Sequence, residues 1–313
     1  MTDYLPMFAV SIERRTADAH NVLDQAIEQV RDSGKALAGI VVLFSGGDDS
    51  TALAHLFKDR ATHIAHANTG IGIEQTRQFV RDTAAAWGLP LLEKHPRPGE
   101  TYADLVLGRC VARTGPKAGT VVWRGFPGPS GHFMMYQRLK ERALEQVRNE
   151  LVTDPRRQRV IFIAGRRRGE SARRASRFAS GQLVPIERKG SIVWTSPLLN
   201  WSKLDLNAYR HANPDVPRNE VAALLHMSGE CLCGAFSHPG ELDEIADWFP
   251  DTAAEIRALE QAALDAGIPA ERCRWGWGAG REPRSATGPL CSSCDARYQQ
   301  LTLFDDEDAE GAA

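Results

Sequence analysis

Ser45-Gly46-Gly47-Asp48-Asp49-Ser50-Thr51 sets two glycines, two carboxylates and three hydroxyls directly after the apolar run Val41-Val42-Leu43-Phe44. Chemistry that suits this pattern is the binding of phosphate. Gly46 and Gly47 let the backbone turn sharply and approach an anion closely, while Ser45, Ser50 and Thr51 add hydroxyl donors. A helix starting near Ser50 contributes free N–H groups and the positive end of its dipole. No Lys follows the glycines and their spacing is not Gly-x-Gly-x-x-Gly, so the loop is neither a P-loop nor a dinucleotide fingerprint. The competing reading is a Ser- and Gly-rich strand-to-helix turn with no ligand. Asp48 and Asp49 could hold Mg²⁺ against nucleotide phosphates, Asp48 being the better candidate, or either could cap the helix.

A second constellation is basic. Val160-Ile161-Phe162-Ile163-Ala164 reads as a buried strand and leads into Gly165-Arg166-Arg167-Arg168-Gly169-Glu170-Ser171, then Arg173-Arg174-Ala175-Ser176-Arg177. Arginine is a planar, permanently charged donor suited to bidentate phosphate contact. Arg166, Arg167, Arg173 and Arg174 could meet nucleotide phosphates or a nucleic-acid backbone; a solvated loop paired with surface acids is the alternative. Arg156, Arg157 and Arg159 enlarge the patch, and Trp123 and Phe126 would supply stacking surfaces if the fold brings them near.

The third constellation is thiol. Of six cysteines, five follow residue 230: Cys231 and Cys233 as one pair, Cys291 and Cys294 as another, and Cys273 between. Paired spacing on turns shaped by Gly234 and Pro289 suits a tetrahedral zinc site or an iron–sulfur cluster, and ligand type alone does not separate the two. Cys273 could replace one ligand, stay a free thiol or be buried as a small apolar residue; Cys110 reads as structural.

Elements that must position these residues follow from periodicity. Apolar residues at helical spacing predict a helix over about Ala17 to Arg31, before the first strand. His63 to Ala67 reads as a second strand, Asn68-Thr69-Gly70 as the turn after it, and about Ile73 to Trp87 as a helix. Leu89 to Leu92 begins a third extended segment. This alternation predicts right-handed βαβ units, an open, mostly parallel sheet with helices on both faces, and ligands at the carboxyl ends of the strands. Arg109 to Ser130 is poor in pattern and reads as a lid or a surface connection. Helices are expected over about His132 to Leu151 and Lys203 to His211, the latter capped by Ser202 with Asp205 at its third position. Residues 1–215 would form the nucleotide-binding domain, 216–300 a Cys-rich metal region and 301–313 a disordered acidic tail.

At 313 residues the chain can bury a full core, and a formal charge of −2 offers no whole-molecule field for nucleic acid. No apolar run has the length of a membrane span, and the N-terminus lacks a secretory pattern. The expectation is a cytoplasmic protein whose cysteines serve a metal or redox chemistry rather than disulfides.

Four features in order resemble the PP-loop ATP pyrophosphatase superfamily, in its phosphoadenosine phosphosulfate (PAPS) reductase-like branch, close to the PP-loop proteins of DNA phosphorothioate modification. They are the Ser45 to Ser50 loop, Asn68-Thr69-Gly70, Gly165-Arg166-Arg167-x-x-Glu170-Ser171, and Pro197-Leu198-Leu199-Asn200-Trp201-Ser202 before a helix with Asp205. The resemblance spans about residues 40–215. It implies an adenine-nucleotide site, with the Ser45 to Thr51 loop on phosphate or sulfate and Asn68, Thr69 and Gly70 near the nucleotide. It also implies a [4Fe–4S] cluster, rather than zinc, on Cys231, Cys233, Cys291 and Cys294. One departure matters. Glu230-Cys231 is followed by Leu232-Cys233 rather than Gly, and there is no adjacent Cys-Cys pair.

Three functions are therefore in view. In the first, ATP with Mg²⁺ adenylylates an acceptor, most simply nucleic acid, and sulfur from a donor such as a cysteine desulfurase displaces AMP; Asp48, Ser45 and Arg166 would be the catalytic residues. In the second, a cysteine thiolate reduces PAPS or adenylylsulfate and sulfite leaves. The third is a non-catalytic nucleotide-binding subunit with a zinc or redox docking module, in a multi-protein complex or a homo-oligomer.

Overall fold

The computed structural model describes residues 11–111, 116, 118–170, 172–181 and 183–277, with backbone only at 172 and 173. Cys291, Cys294 and the acidic tail lie outside the described residues. The chain begins with α1 (Ile12–Asp32), β1 (Ala36–Leu43), α2 (Asp48–Phe57), β2 (His63–Ala67), α3 (Glu74–Ala86), β3 (Leu91–Lys94) and α4 (Tyr102–Leu107). A hairpin of β4 (Arg109–Val111) and β5 (Val121–Trp123) follows, then α5 (His132–Tyr136), a π-helical turn and α6 (Arg142–Leu151). Next come β6 (Gln158–Ile163), α7 (Ala172–Ala179), β7 (Ile186–Lys189), β8 (Ile192–Thr195) and α8 (Lys203–Ala212). Three further helices close the order: α9 (Glu220–Leu225), α10 (Glu241–Trp248) and α11 (Pro250–Asp265).

Six strands form one sheet in the order β3-β2-β1-β6-β8-β7, parallel throughout except for β7 against β8. This is the open α/β arrangement expected from the sequence. Side chains alternate across it as a pleated strand requires. Ile40, Val42 and Phe44 face a core shared with α1, α2, α3 and α8, whereas Val41 faces the other side with Val160, Phe162 and Val147 of α6. From β1 the chain moves outward through β2 and β3, then returns to place β6 on the opposite side of β1. The crevice beyond the ends of β1 and β6 is thus the topological switch point, where open α/β sheets take ligands.

A third core lies outside the sheet. Ile71, Ile73, Tyr102, Phe126, Met135 and Leu139 pack with Val221, Cys233, Ile245, Ile256, Cys273 and Trp275. Residues after 216 therefore share their interior with the 71–139 region. Three helices occupy the stretch expected as a Cys-rich metal region, and a short hairpin occupies part of the pattern-poor segment from Arg109. Among the described residues, no helix is long and apolar enough to cross a membrane.

Candidate nucleotide site

The loop from Ser45 to Asp48 turns at Gly46, whose φ of 74° is left-handed; a Cβ there would stand 2.8 Å from Thr76 Cγ2. Only glycine meets both demands without strain. Helix α2 starts at Asp48, two residues earlier than the sequence suggested, with Gly47 as its N-cap and no side-chain cap. Its first amides have no intrahelical partner and open onto the crevice. The hydroxyls are spent differently from expectation. Ser50 and Thr51 each donate to the Gly47 carbonyl at 2.9 Å, and the Ser45 amide donates to Ser50 Oγ at 3.3 Å. Ser50 and Thr51 therefore shape the loop rather than standing as free hydroxyl donors. Asn219 Nδ2 donates to the Gly46 carbonyl at 2.9 Å and braces the turn from α9.

Both loop carboxylates face cations. Asp48 pairs with Arg210 at 2.8 Å and Lys203 at 3.3 Å; Asp49 accepts from Arg167 Nε at 2.6 Å. Lys203 and Arg210 lie seven residues apart, on one face of α8, and sequence reading missed them although that spacing was visible. The Ser202–Asp205 capping box predicted for α8 is present and fixes where this helix starts. A Mg²⁺ ion takes one or two carboxylates plus phosphate oxygens, a set that Asp48 could supply if Lys203 moves onto the phosphates.

The arginine segment leaves β6 beside the loop, as the topology requires. Arg167 is buried and tied to Asp49; Arg166 lies over the Trp194 ring at 4.7 Å and 3.9 Å from Glu187. Burial lowers the pKa of Arg166. Arg174, on α7 and paired with Glu170, is pushed down to about 10 by burial and by the neighbouring Arg166. Desolvated guanidinium groups held close together form a place that favours an anion.

On the other side of the crevice, Asn68, Thr69 and Gly70 follow β2. Asn68 donates to Glu93 at 2.7 Å and accepts from the Gly70 amide at 3.0 Å, so its side chain holds the turn. Thr69 is fully buried, and its amide and hydroxyl both donate to Glu230, to the carboxylate and the carbonyl respectively. Glu230 is buried as well and pairs with Lys140 at 2.7 Å; burial opposes the charge on Lys140, and Glu230 more than offsets it, raising the lysine pKa. Neither Glu230 nor Lys140 stood out as a site residue in the sequence.

Through Glu230 the thiol segment is stitched to the nucleotide side. The Leu232 amide donates to Ile71 at 2.7 Å and the Ile73 amide to Gly229 at 2.8 Å, while Ser228 lies where a Cβ on Gly47 would meet it at 3.1 Å. Interaction between the two thiols lowers the pKa of Cys233 and, with burial, pushes Cys231 up. Two thiols at this spacing fit half of a four-thiolate set. Cys273 is buried and donates to the Ala270 carbonyl, and among the described residues no three His, Cys, Asp or Glu side chains gather to hold a metal. Cys273 is thus not joined to the Cys231–Cys233 pair. Of the stacking candidates, Phe126 is fully buried and Trp123 is covered by the Arg109 guanidinium at 4.1 Å, so the basic segment does not use them.

No family model matches the chain. Over 302 residues it is 26% identical to a tRNA(Ile)-lysidine synthase of Symbiobacterium thermophilum, a match covering 85% of this chain and 53% of that protein. The chain therefore spans about half the length of this curated relative. Among solved structures it is similar to a PAPS reductase from Candida auris in a phosphate complex, at 18% identity, 69% and 93% coverage and a TM-score of 0.42. It is also similar to the U34-tRNA thiolase NcsA of Methanococcus maripaludis with its [4Fe–4S] cluster, at 11% identity, 91% and 87% coverage and a TM-score of 0.42. The loop at the switch point and the lysidine synthase relative together support the PP-loop ATP pyrophosphatase superfamily.

Proposed function

We propose that this protein is an enzyme that uses ATP at the Ser45–Thr51 loop to adenylylate a nucleic-acid acceptor for sulfur transfer. The observation that carries the reading is the meeting of that loop with the Arg166–Arg167 segment at the switch point of the sheet, through the Asp49–Arg167 bond. Loop amides and the N-terminus of α2 would hold the phosphates, and Arg166 would neutralise charge that builds on the α-phosphate. An acceptor oxygen attacks the α-phosphorus; the bond to the bridging oxygen breaks, and pyrophosphate leaves with the electron pair. Asp48 would keep Mg²⁺ on the phosphates, where the ion offsets the negative charge of the leaving group. In the second half, the terminal sulfur of a persulfide displaces AMP from the acceptor; a second thiol then attacks the donor's inner sulfur, so that the S–S bond breaks, the thiolated product leaves with the outer sulfur, and the donor and the second thiol remain joined as a disulfide. The tRNA named in the lysidine synthase relative supports a nucleic-acid acceptor.

A second reading has one observation in its favour. The Glu230-Cys231 segment is bonded to Thr69, on the nucleotide side of the crevice, where a thiolate could attack the sulfate sulfur of PAPS, forming an S-sulfocysteine as adenosine bisphosphate leaves; a second thiol attacking the cysteine sulfur would then release sulfite and leave a disulfide. Anaerobic calorimetric titration with ATP plus Mg²⁺, and separately with PAPS, tests the two. Preference for ATP, with pyrophosphate release abolished in Asp48→Ala, supports the first; preference for PAPS, with a sulfite yield that depends on cysteine, overturns it.

A further inference from the structure

The hairpin of β4 and β5 pairs Arg109 with Trp123, Cys110 with Val122 and Val111 with Val121. Opposite residues, and residues two apart on a strand, share one face of an antiparallel pair, so Arg109, Trp123, Val111 and Val121 stand together. The Trp123 ring packs inward against the third core, and the Arg109 guanidinium lies over it at 4.1 Å. Beside this stack, Val111 is 57% exposed and Val121 65% exposed. Burial does not explain these two valines, because neither joins a core.

The root of the hairpin is firmly held. The Arg124 and Gly125 amides donate to the Gly108 and Val106 carbonyls at 2.9 and 3.1 Å, the Phe126 amide donates to the Arg272 carbonyl at 2.9 Å, and Arg272 Nη1 donates to the Trp123 carbonyl at 3.1 Å. Tyr102 of α4, shortly before β4, donates to the Cys233 carbonyl at 2.9 Å, so the hairpin rises from the same core as the thiol segment. Charge identifies what such a face would meet. Residues 105–140 contain no Asp or Glu in a chain that has 40, while Arg109, Arg113, Lys117 and Arg124 fall between 109 and 124 in the sequence. Arg109 is exposed and has no carboxylate partner among the described residues.

A guanidinium backed by an indole is a flat cation, which offers a stacking surface to a base and a charge to a phosphate. The two valines extend that surface with an apolar strip. We infer that this face of the β4–β5 hairpin is a docking surface for an unpaired strand of RNA or DNA. A base lies on Arg109 with Val111 and Val121 alongside, and the phosphates meet the cations of the hairpin. This rests on the nucleic-acid acceptor proposed above and places its docking beside the core that carries the thiol segment. A duplex, whose bases are already stacked, would use the charge alone. A second copy of the chain could cover the valines only by bringing two basic ribbons together, which repulsion opposes.

The test is fluorescence anisotropy of the full chain with short labelled single strands, as RNA and as DNA, and with the matching duplex. The parent should prefer single strands. Arg109→Ala should weaken them by about tenfold, the size of one lost base stack, and make binding less dependent on salt. Arg109→Lys should keep the salt dependence but not the affinity, because the charge returns without the plane. Val121→Glu sets a carboxylate on the face at an exposed position, so it should weaken binding while circular dichroism shows an unchanged fold. Absence of single-strand binding by the parent, equal affinity for duplex, or unchanged affinity in both Arg109→Ala and Val121→Glu overturns the assignment. So does a parent dimer in sedimentation velocity that Val121→Glu dissociates, since the face would then meet a second copy. ATP and PAPS affinities of the parent, measured by calorimetry, report separately on the nucleotide reading. A chain that binds ATP but no strand refutes the docking surface alone, and one that binds strands but prefers PAPS refutes the ATP reading alone.

Discussion

Arg167 Nε donates to Asp49 Oδ2 at 2.6 Å and thereby ties the segment after β6 to the first turn of α2. The pair spans the switch point, so the two loops that border the crevice cannot drift apart independently. Arg167 is buried and Asp49 partly exposed. Removing the arginine would leave Asp49 with the more distant Lys203, at 3.7 Å, as its remaining cation, which costs roughly 2–4 kcal/mol. Arg167→Ala should lower stability by that amount in urea unfolding and weaken ATP. Arg167→Lys should recover part of the stability, because the charge returns without the directed Nε bond. Equal ATP affinity in all three proteins would show that the pair does not position the loop.

Gly46 offers a sharper probe of the loop itself. Its left-handed φ disfavours any L side chain by roughly 1–2 kcal/mol. The new Cβ would also press on Thr76 Cγ2 at 2.8 Å. Gly46→Ala should therefore fold with reduced stability and lose most ATP affinity, since the loop amides turn away from the phosphates. Thr76→Ser in the same chain removes the clashing methyl but not the strain, so it should restore stability in part. Full recovery of ATP binding by that second change would mean that crowding rather than backbone geometry was responsible.

The contrast between what could and could not be read from the sequence follows one physical line. Strands such as Val160 to Ile163 announce themselves because both sheet faces are buried and the apolar run is unbroken. The loop after β1 was legible because glycines and hydroxyls there have few other reasons to cluster. Glu230 and Lys140 were not legible. They lie ninety residues apart in sequence, and their meaning comes from a buried pairing that only the third core creates. Likewise, hydroxyl donors at Ser50 and Thr51 look like ligand contacts until the Gly47 carbonyl is seen to accept both. Helices α10 and α11 carry weak start signals: neither has a side-chain N-cap, and Pro250 at the start of α11 is the clearest boundary mark.

Gly72 controls how closely the thiol segment can approach the nucleotide side. A Cβ there would stand 2.3 Å from the Glu230 carbonyl oxygen, a distance no packed pair tolerates. The backbone contact between Ile71–Ile73 and Gly229–Leu232 therefore depends on glycine at this position. Gly72→Ala should displace Glu230, free Lys140 and raise the reactivity of Cys231 and Cys233 toward a thiol reagent, by about tenfold or more as local opening becomes easier. ATP affinity should fall as well, because Thr69 loses both of its bonds to Glu230. Labelling kinetics followed by mass spectrometry decide it; unaltered rates at both cysteines would mean that the segment is not held by this contact.

Glu93 sets a pH dependence with a defined sign. Arg81 donates to both of its oxygens, at 2.8 and 2.9 Å, and holds its carboxyl well below the ordinary value of 4.5, at about 2; burial opposes this and the Asn68 amide assists. A depressed folded pKa means that the unfolded chain binds the proton first on acidification. The contribution is therefore complete above about 4.5 and is lost as pH falls toward about 2. Glu93→Gln should be less stable than the parent at neutral pH, by ~1–2 kcal/mol once solvent screening of the pair is allowed for. That difference should shrink through the window and vanish near its lower end, where the parent carboxyl is itself protonated. Because Asn68 donates to the same carboxylate and accepts from Gly70, ATP affinity should fall over the same range in the parent and depend less on pH in the variant. Urea unfolding and calorimetry across the window measure both. A stability difference that stays constant down to the lowest pH would show that Arg81 does not hold Glu93 charged.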